Sequence, residues 1–354
     1  MPVALDRDAL AAAILGGLVL SAGGSGMARA ERNRRIGEQA LDYGPLAMVG
    51  LDELPDEAGI IVATGVGAPG YAKAVTSLRD SVQSARMLIA ATGGAMPAGV
   101  MPGHVPGLMA WMQAAVLGIP LVDAATNGRG HPTVKMGGMG LASRPEVAVT
   151  QAGCGGAADD RVEITVTGSM AKTSTIMRAA SVQNGGSLYA TRGPFTAAFV
   201  RKGGAPGAMG FAATLGRAML DAAPGQARVE AAAATLGGAL LVIGRVESND
   251  VRYEGGFDLG TVVVAGDGGG RVNLHVYNEY MAADRGGERL WTFPDMLGSL
   301  DPRSGDPIAI NEMPPGREVA VVAGPRTAFP VGAGATDPAV FPEVEEKLGV
   351  RLAP

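Results

Sequence analysis

Short apolar runs that end in glycine-rich loops constrain the fold of this chain more than any other feature. Runs at 60–63, 87–91 and 118–122 are each followed by a loop of glycine and polar residues. Glycine adopts the positive φ that sharp turns need. Buried strands of this length, separated by helical stretches such as 106–117, are typical of a mostly parallel sheet with helices on its faces. We therefore expect an α/β fold with an N-terminal layered domain.

The hydrophobic pattern changes in the second half of the chain. Residues 162–167 alternate between apolar and polar as a strand does, and helices are expected on either side of a connecting segment at 185–194. From about residue 238, short segments rich in β-branched residues are separated by Gly, Asp, Asn and Pro. This pattern predicts a β-barrel or sandwich. We expect an α/β domain over 1–167 and a C-terminal domain over 168–354, mixed α/β to about 237 and a β-barrel from 238.

Composition narrows the classes of function. Charged residues make up 18% of the chain and the net charge is −5, with no block of Lys or Arg, so nucleic acid is not an expected partner. One cysteine and three histidines exclude a multi-cysteine metal site. The apolar run at 11–21 is too short for a membrane span and lacks the flanks of a signal peptide. We expect a cytoplasmic homo-oligomer that makes no membrane contact and acts on a small molecule.

Four chemically distinct side chains follow the strand predicted at 118–122. Asp123, Asn127, Arg129 and His131 lie within nine residues, beyond the carboxyl end of a strand, where open α/β sheets bind ligands. A lone histidine is more often structural, but the three polar neighbours of His131 favour a role in acid–base catalysis or metal ligation. The sequence predicts a catalytic site here, and possible ligation of one divalent metal, zinc, by His131 and Asp123.

Two glycine loops are candidates for ligand binding. Gly23 and Gly24 belong to a loop whose backbone N–H groups could hold a carboxylate, although the same sequence also suits a tight turn. The loop follows no strand and precedes no Walker lysine, so no nucleotide or organic cofactor is expected. Gly94, after the run at 87–91, is included only because we expect its loop at the same sheet edge as His131.

Three polar residues further along the chain are candidates for substrate binding. Arg192 could hold a substrate carboxylate through two N–H groups, or form an ordinary surface ion pair. Asn278 and Glu279 follow the strand predicted at 271–277 and are weaker candidates for substrate binding. Three other residues lack such neighbours and are expected to be structural: His104, Cys154 and His275.

Four motifs of this chain, in this order, resemble the signatures of the S-methyl-thiohydantoin desulfurase family, which is related to hydantoinase- and oxoprolinase-associated proteins. The motifs are residues 12–17 with 23–26, residues 51–56 with 65–69, residues 127–133 with 136–141, and residues 277–280. The resemblance runs over essentially the whole chain. It departs from the family pattern at Ser25 and Met27, which interrupt the first glycine loop.

The resemblance implies an N-terminal α/β domain, a C-terminal part ending in a β-barrel, and hydrolytic removal of a sulfur substituent from a five-membered thiohydantoin ring. In that reaction His131 would act as acid–base or metal ligand, and Asp123 would orient it or share the metal. Asn127 and Arg129 would hold the ring carbonyl or the tetrahedral intermediate, and Arg192 the substrate's carboxylate tail. Two alternatives stay open: a hydantoin or cyclic-imide hydrolase, and a non-catalytic subunit of a hydantoinase-like complex.

Overall fold

The computed structural model describes residues 2–67, 75–255 and 257–352. Its helices, numbered in chain order, are α1 (Arg7–Leu20), α2 (Ala30–Tyr43), α3 (Leu78–Ala91), α4 (Leu108–Leu117), α5 (Met170–Gln183), α6 (Ala197–Gly203), α7 (Ala208–Asp221), α8 (Gln226–Thr235) and α9 (Phe341–Leu348). The strands of the first half are β1 (Val3–Ala4), β2 (Ala47–Val49), β3 (Gly59–Gly67), β4 (Gly99–Pro102), β5 (Leu121–Val122), β6 (Ala124–Ala125), β7 (Ala148–Ala157), β8 (Asp160–Ser169), β9 (Ser187–Thr196) and β10 (Ala205–Pro206). Those of the second half are β11 (Ala239–Asn249), β12 (Arg252–Glu254), β13 (Phe257–Gly266), β14 (Arg271–Tyr277), β15 (Glu279–Arg285), β16 (Glu288–Thr292), β17 (Met296–Leu300) and β18 (Glu318–Gly324).

The first sheet confirms the predicted α/β fold. Its strand order is β1-β2-β5-β4-β3-β9-β7-β8. The neighbours β2, β5, β4 and β3 pair in parallel, whereas β1, β9, β7 and β8 pair antiparallel to their neighbours. The sheet is therefore mixed, with its parallel part near one edge. The strand expected at 118–122 is only two residues long, because the chain turns into β6, which pairs with β10 in a separate two-stranded sheet.

The segment at 185–194 is not the connection that the sequence predicts. Most of it belongs to β9, which pairs with β3 on one side and β7 on the other. Leu188 and Ala190 on this strand are fully buried, as expected for a strand inside a sheet. The first sheet therefore includes a central strand from beyond the boundary expected at residue 167.

The run at 87–91 is the end of helix α3 and not a strand. The helix begins after Ser77, whose backbone N–H donates to the Asp80 carboxylate at 2.6 Å, and its buried face repeats every three residues at Val82, Ala85 and Leu88. A short apolar run cannot by itself distinguish a strand from a buried helix segment. The loop expected to begin at Thr64 is likewise still strand, and its last residues (68–70) lie outside the described ranges.

Helix α1 is the centre of the larger hydrophobic core. The Asp6 side chain caps it by accepting from the Ala9 N–H at 2.7 Å, and the helix is apolar on almost every face, as a fully buried helix is. It packs tightly against α7, since a Cβ atom at Gly16 or at Gly216 would overlap the backbone of the other helix. This close crossing holds the glycine turn after α1 firmly against the rest of the fold.

The C-terminal strands form the predicted β part as a curled antiparallel half-barrel. Their order is β16-β15-β14-β13-β11-β18-β17, with β12 paired to β13. Alternate residues such as Val262, Leu274 and Val321 fill its interior and are fully buried. Within the described ranges, no helix combines the length and the apolarity needed to cross a bilayer.

Candidate functional site

A polar cavity lies where the first sheet meets the turn between β14 and β15. Its volume is about 300 Å³, and its lining is far more polar than apolar. Side chains from both halves of the chain line it: Thr64, His104, His131, Arg178, Tyr189, Arg192, Asn278 and Glu279. The strand ends that reach it are those of β3 and β4, so it occupies the place where α/β sheets commonly bind ligands.

Two neutral histidines face this cavity. The rings of His104 and His131 meet edge to face, with centroids 5.7 Å apart. His104 Nδ1 lies 2.9 Å from the Val105 carbonyl oxygen, and His131 Nδ1 lies 3.3 Å from the Arg129 carbonyl oxygen. A carbonyl oxygen only accepts, so each Nδ1 carries the hydrogen and each Nε2 keeps a lone pair.

Burial keeps both imidazoles in this neutral form. It lowers the pKa of His131 to about 3, and the neighbouring His104 and Arg192 act in the same direction. Burial also lowers the pKa of His104. Neither Nε2 atom has a hydrogen-bond partner elsewhere in the described chain. Each ring therefore presents an unprotonated Nε2 that can accept a hydrogen bond from a bound water at neutral pH.

Arg192 is a buried cation that no described residue pairs with. It stands on β9 opposite Val62 and Gln151, is 1% exposed, and lines the cavity. Its Nε and Nη1 atoms have no hydrogen-bond acceptor among the described residues. Burial lowers its pKa to about 10, so it stays charged at neutral pH. An unpaired buried charge costs several kcal/mol, and a bound anion would remove that cost.

Three further arginines line the same cavity: Arg29, Arg32 and Arg178. Arg32 donates to the Tyr189 hydroxyl, and Arg178 lies 4.7 Å from the centre of the Phe257 ring. Glu279 is the single acidic residue among the described lining residues. The balance of charge favours an anionic ligand.

Glu279 and Asn278 reach the cavity from the turn between β14 and β15. Asn278 has a φ of +59°, and its Oδ1 accepts from the Asp258 N–H at 2.8 Å. Glu279 is 7% exposed, and its Oε2 has no partner in the part of the chain that is described. Burial raises its pKa to about 8. Both of these predicted residues therefore line the same cavity as His131.

The three residues predicted to act with His131 lie outside the cavity lining. Asp123 is turned toward α7, where its Oδ1 accepts from the Gly210 N–H at 2.9 Å. Asn127 joins two loops: its Oδ1 accepts from the Gly332 N–H at 3.2 Å and its Nδ2 donates to the Arg129 carbonyl. The side chains diverge because successive loop residues point in different directions.

Arg129 is the third of these, and it holds loops together. It is fully buried, and its guanidinium donates to the backbone carbonyls of Gly130, Tyr280 and Asp295. Its Cζ lies 4.8 Å from the centre of the Phe293 ring. These contacts occupy the donors that the sequence analysis assigned to a ring carbonyl or an intermediate. Arg129 therefore links the loop before His131 to the half-barrel.

The predicted glycines divide between different places. Gly94 closes the C-terminus of α3, its N–H donating to the Ile89 carbonyl at 2.8 Å, so it is not at the sheet edge that carries His131. Gly23 and Gly24 line a neighbouring cavity of about 340 Å³, which shares Asn278 with the first. A Cβ at Gly24 would lie 3.1 Å from Glu279 Oε1, so this glycine makes room for an acid and does not contact the main cavity.

The sequence analysis expects a structural role for His104, and the structure places it in the lining of the cavity. It follows β4, a four-residue strand that the analysis did not predict. Had that strand been recognised, His104 would have stood beyond the carboxyl end of a parallel strand, as Asp123 does. His275 and Cys154 do lie outside the cavity. His275 Nε2 pairs with Asp284 at 2.8 Å, and burial raises the pKa of the Cys154 thiol to about 12.

The predicted zinc pairing of His131 with Asp123 is not supported by the donor geometry. Asp123 binds the helix N–H of Gly210 and is absent from the cavity lining. Within the described ranges, no three His, Cys, Asp or Glu side chains are arranged to hold a metal ion. Structural and catalytic zinc sites use at least three protein ligands. The described residues around this cavity therefore do not match a zinc site.

A mixed α/β sheet joined to a half-barrel, with a polar cavity between them, defines an α/β protein with a candidate ligand site. Family models identify it further: the S-Me-THD-like N-terminal domain matches residues 8–182 and the S-Me-THD-like C-terminal domain matches residues 169–329. The chain belongs to this family, that of S-methyl-thiohydantoin desulfurase, which suggests an enzyme.

A solved structure has the same fold. The crystal structure of a protein from Chromobacterium violaceum superimposes with a TM-score of 0.66 at 19% sequence identity, over 98% of this chain and 96% of that chain. This likeness concerns the fold alone. No curated protein matches the chain.

Proposed function

We propose that this protein is a hydrolase that removes the sulfur substituent from an S-methyl-thiohydantoin or a closely related five-membered ring. The observation that carries the proposal is the pairing, in one cavity, of neutral histidines with a buried unpaired arginine. Family membership supports the same class of reaction.

His131 and His104 are the proposed base. The ring carbon that bears sulfur resembles an amidine carbon, so attack on it requires a water that loses a proton as it adds. The Nε2 lone pairs of the two rings are available to take that proton. We assign the transfer to His131, because it lies in the strand-end loop that the sequence predicts as catalytic and its Nε2 has no hydrogen-bond partner among the described residues. His104 packs against it edge to face and keeps its orientation.

Arg192 is the proposed anchor for the substrate. Its Nε and Nη2 donors point to the same side of the guanidinium and match the two oxygens of a carboxylate, and Arg178 adds positive charge to the cavity lining. A volume of about 300 Å³ lies at the small end of ligand pockets, which suits one five-membered ring with a short acidic tail. In this assignment Asp123, Asn127 and Arg129 support the fold around the site and take no chemical role.

A substrate panel tests the proposal. Purified protein is incubated with S-methyl-thiohydantoins, with and without a carboxylate tail, and with the matching hydantoins and cyclic imides. Thiol release, measured with a thiol reagent, supports the proposal; ring opening without thiol release supports the cyclic-imide alternative. His131→Gln should abolish thiol release, whereas His275→Gln, which changes the histidine outside the cavity, should not. Full activity of the His131 variant would contradict the assignment.

The same purified protein serves to test the two predicted partners, a second copy of this chain and a hydantoinase-like protein. Light scattering measures its molar mass and so determines whether it forms the predicted homo-oligomer. If no ring is turned over and a hydantoinase-like protein is retained specifically by this chain, the non-catalytic subunit replaces the hydrolase as the explanation.

A further inference from the structure

Glu279 takes no part in the proton transfer to His131 or in the binding of the substrate by Arg192. It carries the single carboxyl group among the described lining residues of the cavity. Its Oε2 is sealed from solvent and has no partner, and no hydrogen bond or ion pair to a described residue satisfies the side chain. An ionised carboxylate in this position would lose the hydration of Oε2 without gaining a donor there. The neutral acid is therefore the favoured form.

Two glycines form the space that Glu279 occupies. A Cβ at Gly24 would lie 3.1 Å from its Oε1, and a Cβ at Gly130 would lie 2.9 Å from its Cγ. Gly130 directly precedes His131, and the Asn278 amide donates to the Pro132 carbonyl at 3.5 Å. Glu279 is therefore held beside the segment that carries the proposed base, in a pocket whose walls leave no room for a larger residue.

The charged groups around Glu279 do not stabilise its ionised form enough to compensate for burial. Burial raises its pKa to about 8; Arg129 and Arg178 oppose this shift and Asp258 adds to it. The Arg129 guanidinium is already bound to three backbone carbonyls. None of these groups hydrogen-bonds to the Glu279 carboxyl in the described structure.

We propose that Glu279 is the general acid of the reaction, its protonated carboxyl group donating to the ring nitrogen of the substrate. This inference rests on the proposed function. Water adds through its oxygen to the sulfur-bearing carbon and gives one proton to His131, while the C=N electron pair moves to nitrogen and takes the proton of Glu279. When the C–S bond breaks, the new hydroxyl becomes C=O and returns its proton to Glu279. The thiolate leaves with the proton that His131 took from water.

The first test replaces the acid with its isosteric amide. Glu279→Gln should lower kcat by roughly 10²- to 10⁴-fold, the range of general acid catalysis, with KM changed less than about threefold because the amide keeps the shape of the wall. Glu163→Gln, an exposed acid on β8, is the matched control and should retain full activity. A Glu279→Gln variant with kcat within threefold of the wild type would overturn the proposal.

A cationic substrate separates acid catalysis from a merely structural role. If the ring nitrogen is methylated and permanently charged, no proton is needed, so the wild type and Glu279→Gln should turn it over at similar rates. An equal loss on both substrates would indicate damage to the site and contradict the role of acid. The wild-type kcat should also fall as pH rises through about 8, and this decline should be missing in the variant.

Thermal unfolding tests the neutral carboxyl without any substrate. The unfolded chain releases the Glu279 proton near the ordinary value of about 4.3, and the folded chain keeps it to about 8. Between these values the folded state binds more protons, so wild-type stability falls as pH rises. The Tm of Glu279→Gln relative to wild type should therefore increase from pH 4.5 to 8. A Tm difference between the two proteins that stays constant with pH would overturn the inference. If the wild type turns over none of the rings, the proposed function fails, and the pH dependence of the Tm difference still shows whether Glu279 is neutral.

Discussion

Gly137 packs directly against the ring of His131: a Cβ atom at position 137 would overlap Nε2, the nitrogen that bears the lone pair. Gly137 is buried, and its N–H donates to the Thr133 carbonyl at 3.2 Å. The glycine-rich segment after His131 therefore sets the position of the proposed base. A methyl group here must push the ring away or force the loop apart.

We expect Gly137→Ala to reduce kcat by at least tenfold, because a displacement of the base by about 1 Å can reduce the rate by about 10²-fold. Overpacking should also cost about 1–3 kcal/mol of unfolding free energy. Gly44→Ala is the control, since a Cβ there meets nothing within 4 Å. Steady-state kinetics and denaturant unfolding of both variants check this, and an unchanged kcat in Gly137→Ala would mean that the ring position is not critical.

Arg192→Met should separate stability from binding. Replacing an unpaired buried charge with an apolar side chain of similar length removes its desolvation cost, and such replacements stabilise by about 1–4 kcal/mol. The same change removes the anchor for the anionic group, so KM for a carboxylate-bearing substrate should rise about 100-fold, as the loss of a charge-assisted pair does. Arg245→Met, at the surface and paired with Glu318, should change neither. A Tm that falls in Arg192→Met would indicate that the guanidinium is paired in solution.

His131 should make the fold sensitive to acid. Its folded pKa of about 3 lies below the ordinary value of about 6.5, so in this window the unfolded state binds one proton that the folded state does not. Stability should therefore fall as pH drops from about 6.5 toward 3, with a slope of up to about 1.4 kcal/mol per pH unit from this residue. His131→Gln should show a flatter dependence in denaturant titrations. Parallel curves for the two proteins would show that His131 is not held neutral.

Asp123→Ala tests the residue that the sequence placed beside His131. Its carboxylate accepts a hydrogen bond in the first turn of α7, and the loss of such a contact costs about 1 kcal/mol. We therefore expect a lower unfolding free energy and an unchanged kcat for the folded protein. A large loss of kcat without a loss of stability would restore Asp123 to the site.

The parts of the fold that local pattern specifies were predicted well. Helix α5, predicted at 169–182, and strand β14, predicted at 271–277, begin and end within a residue of those bounds, because each presents one buried face over its whole length. The run at 87–91 was wrongly predicted as a strand because its five apolar residues fit a strand as well as a helix. The helical spacing that decides the matter begins earlier, at Val82.

Only some of the predicted site residues line the cavity, because residues that are close in sequence need not be close in space. His131 and Glu279 line the cavity. Asp123 instead accepts a hydrogen bond from a residue 87 positions away, and Arg129 donates one to a residue 151 positions away. Such partners cannot be read from a nine-residue window. The same holds for the pairing of His104 with His131, which depends on where β4 and β5 lie in the sheet.

The central place of β9 ties the two family-defined halves into one folding unit. If the chain were cut near residue 168, the first fragment would expose the long edges of β3 and β7, both of which β9 covers. Open edges of this kind recruit strands from other molecules. Neither fragment should be soluble alone, and any functional split would require both pieces to be synthesised together, so that the missing strand is inserted before the edges aggregate.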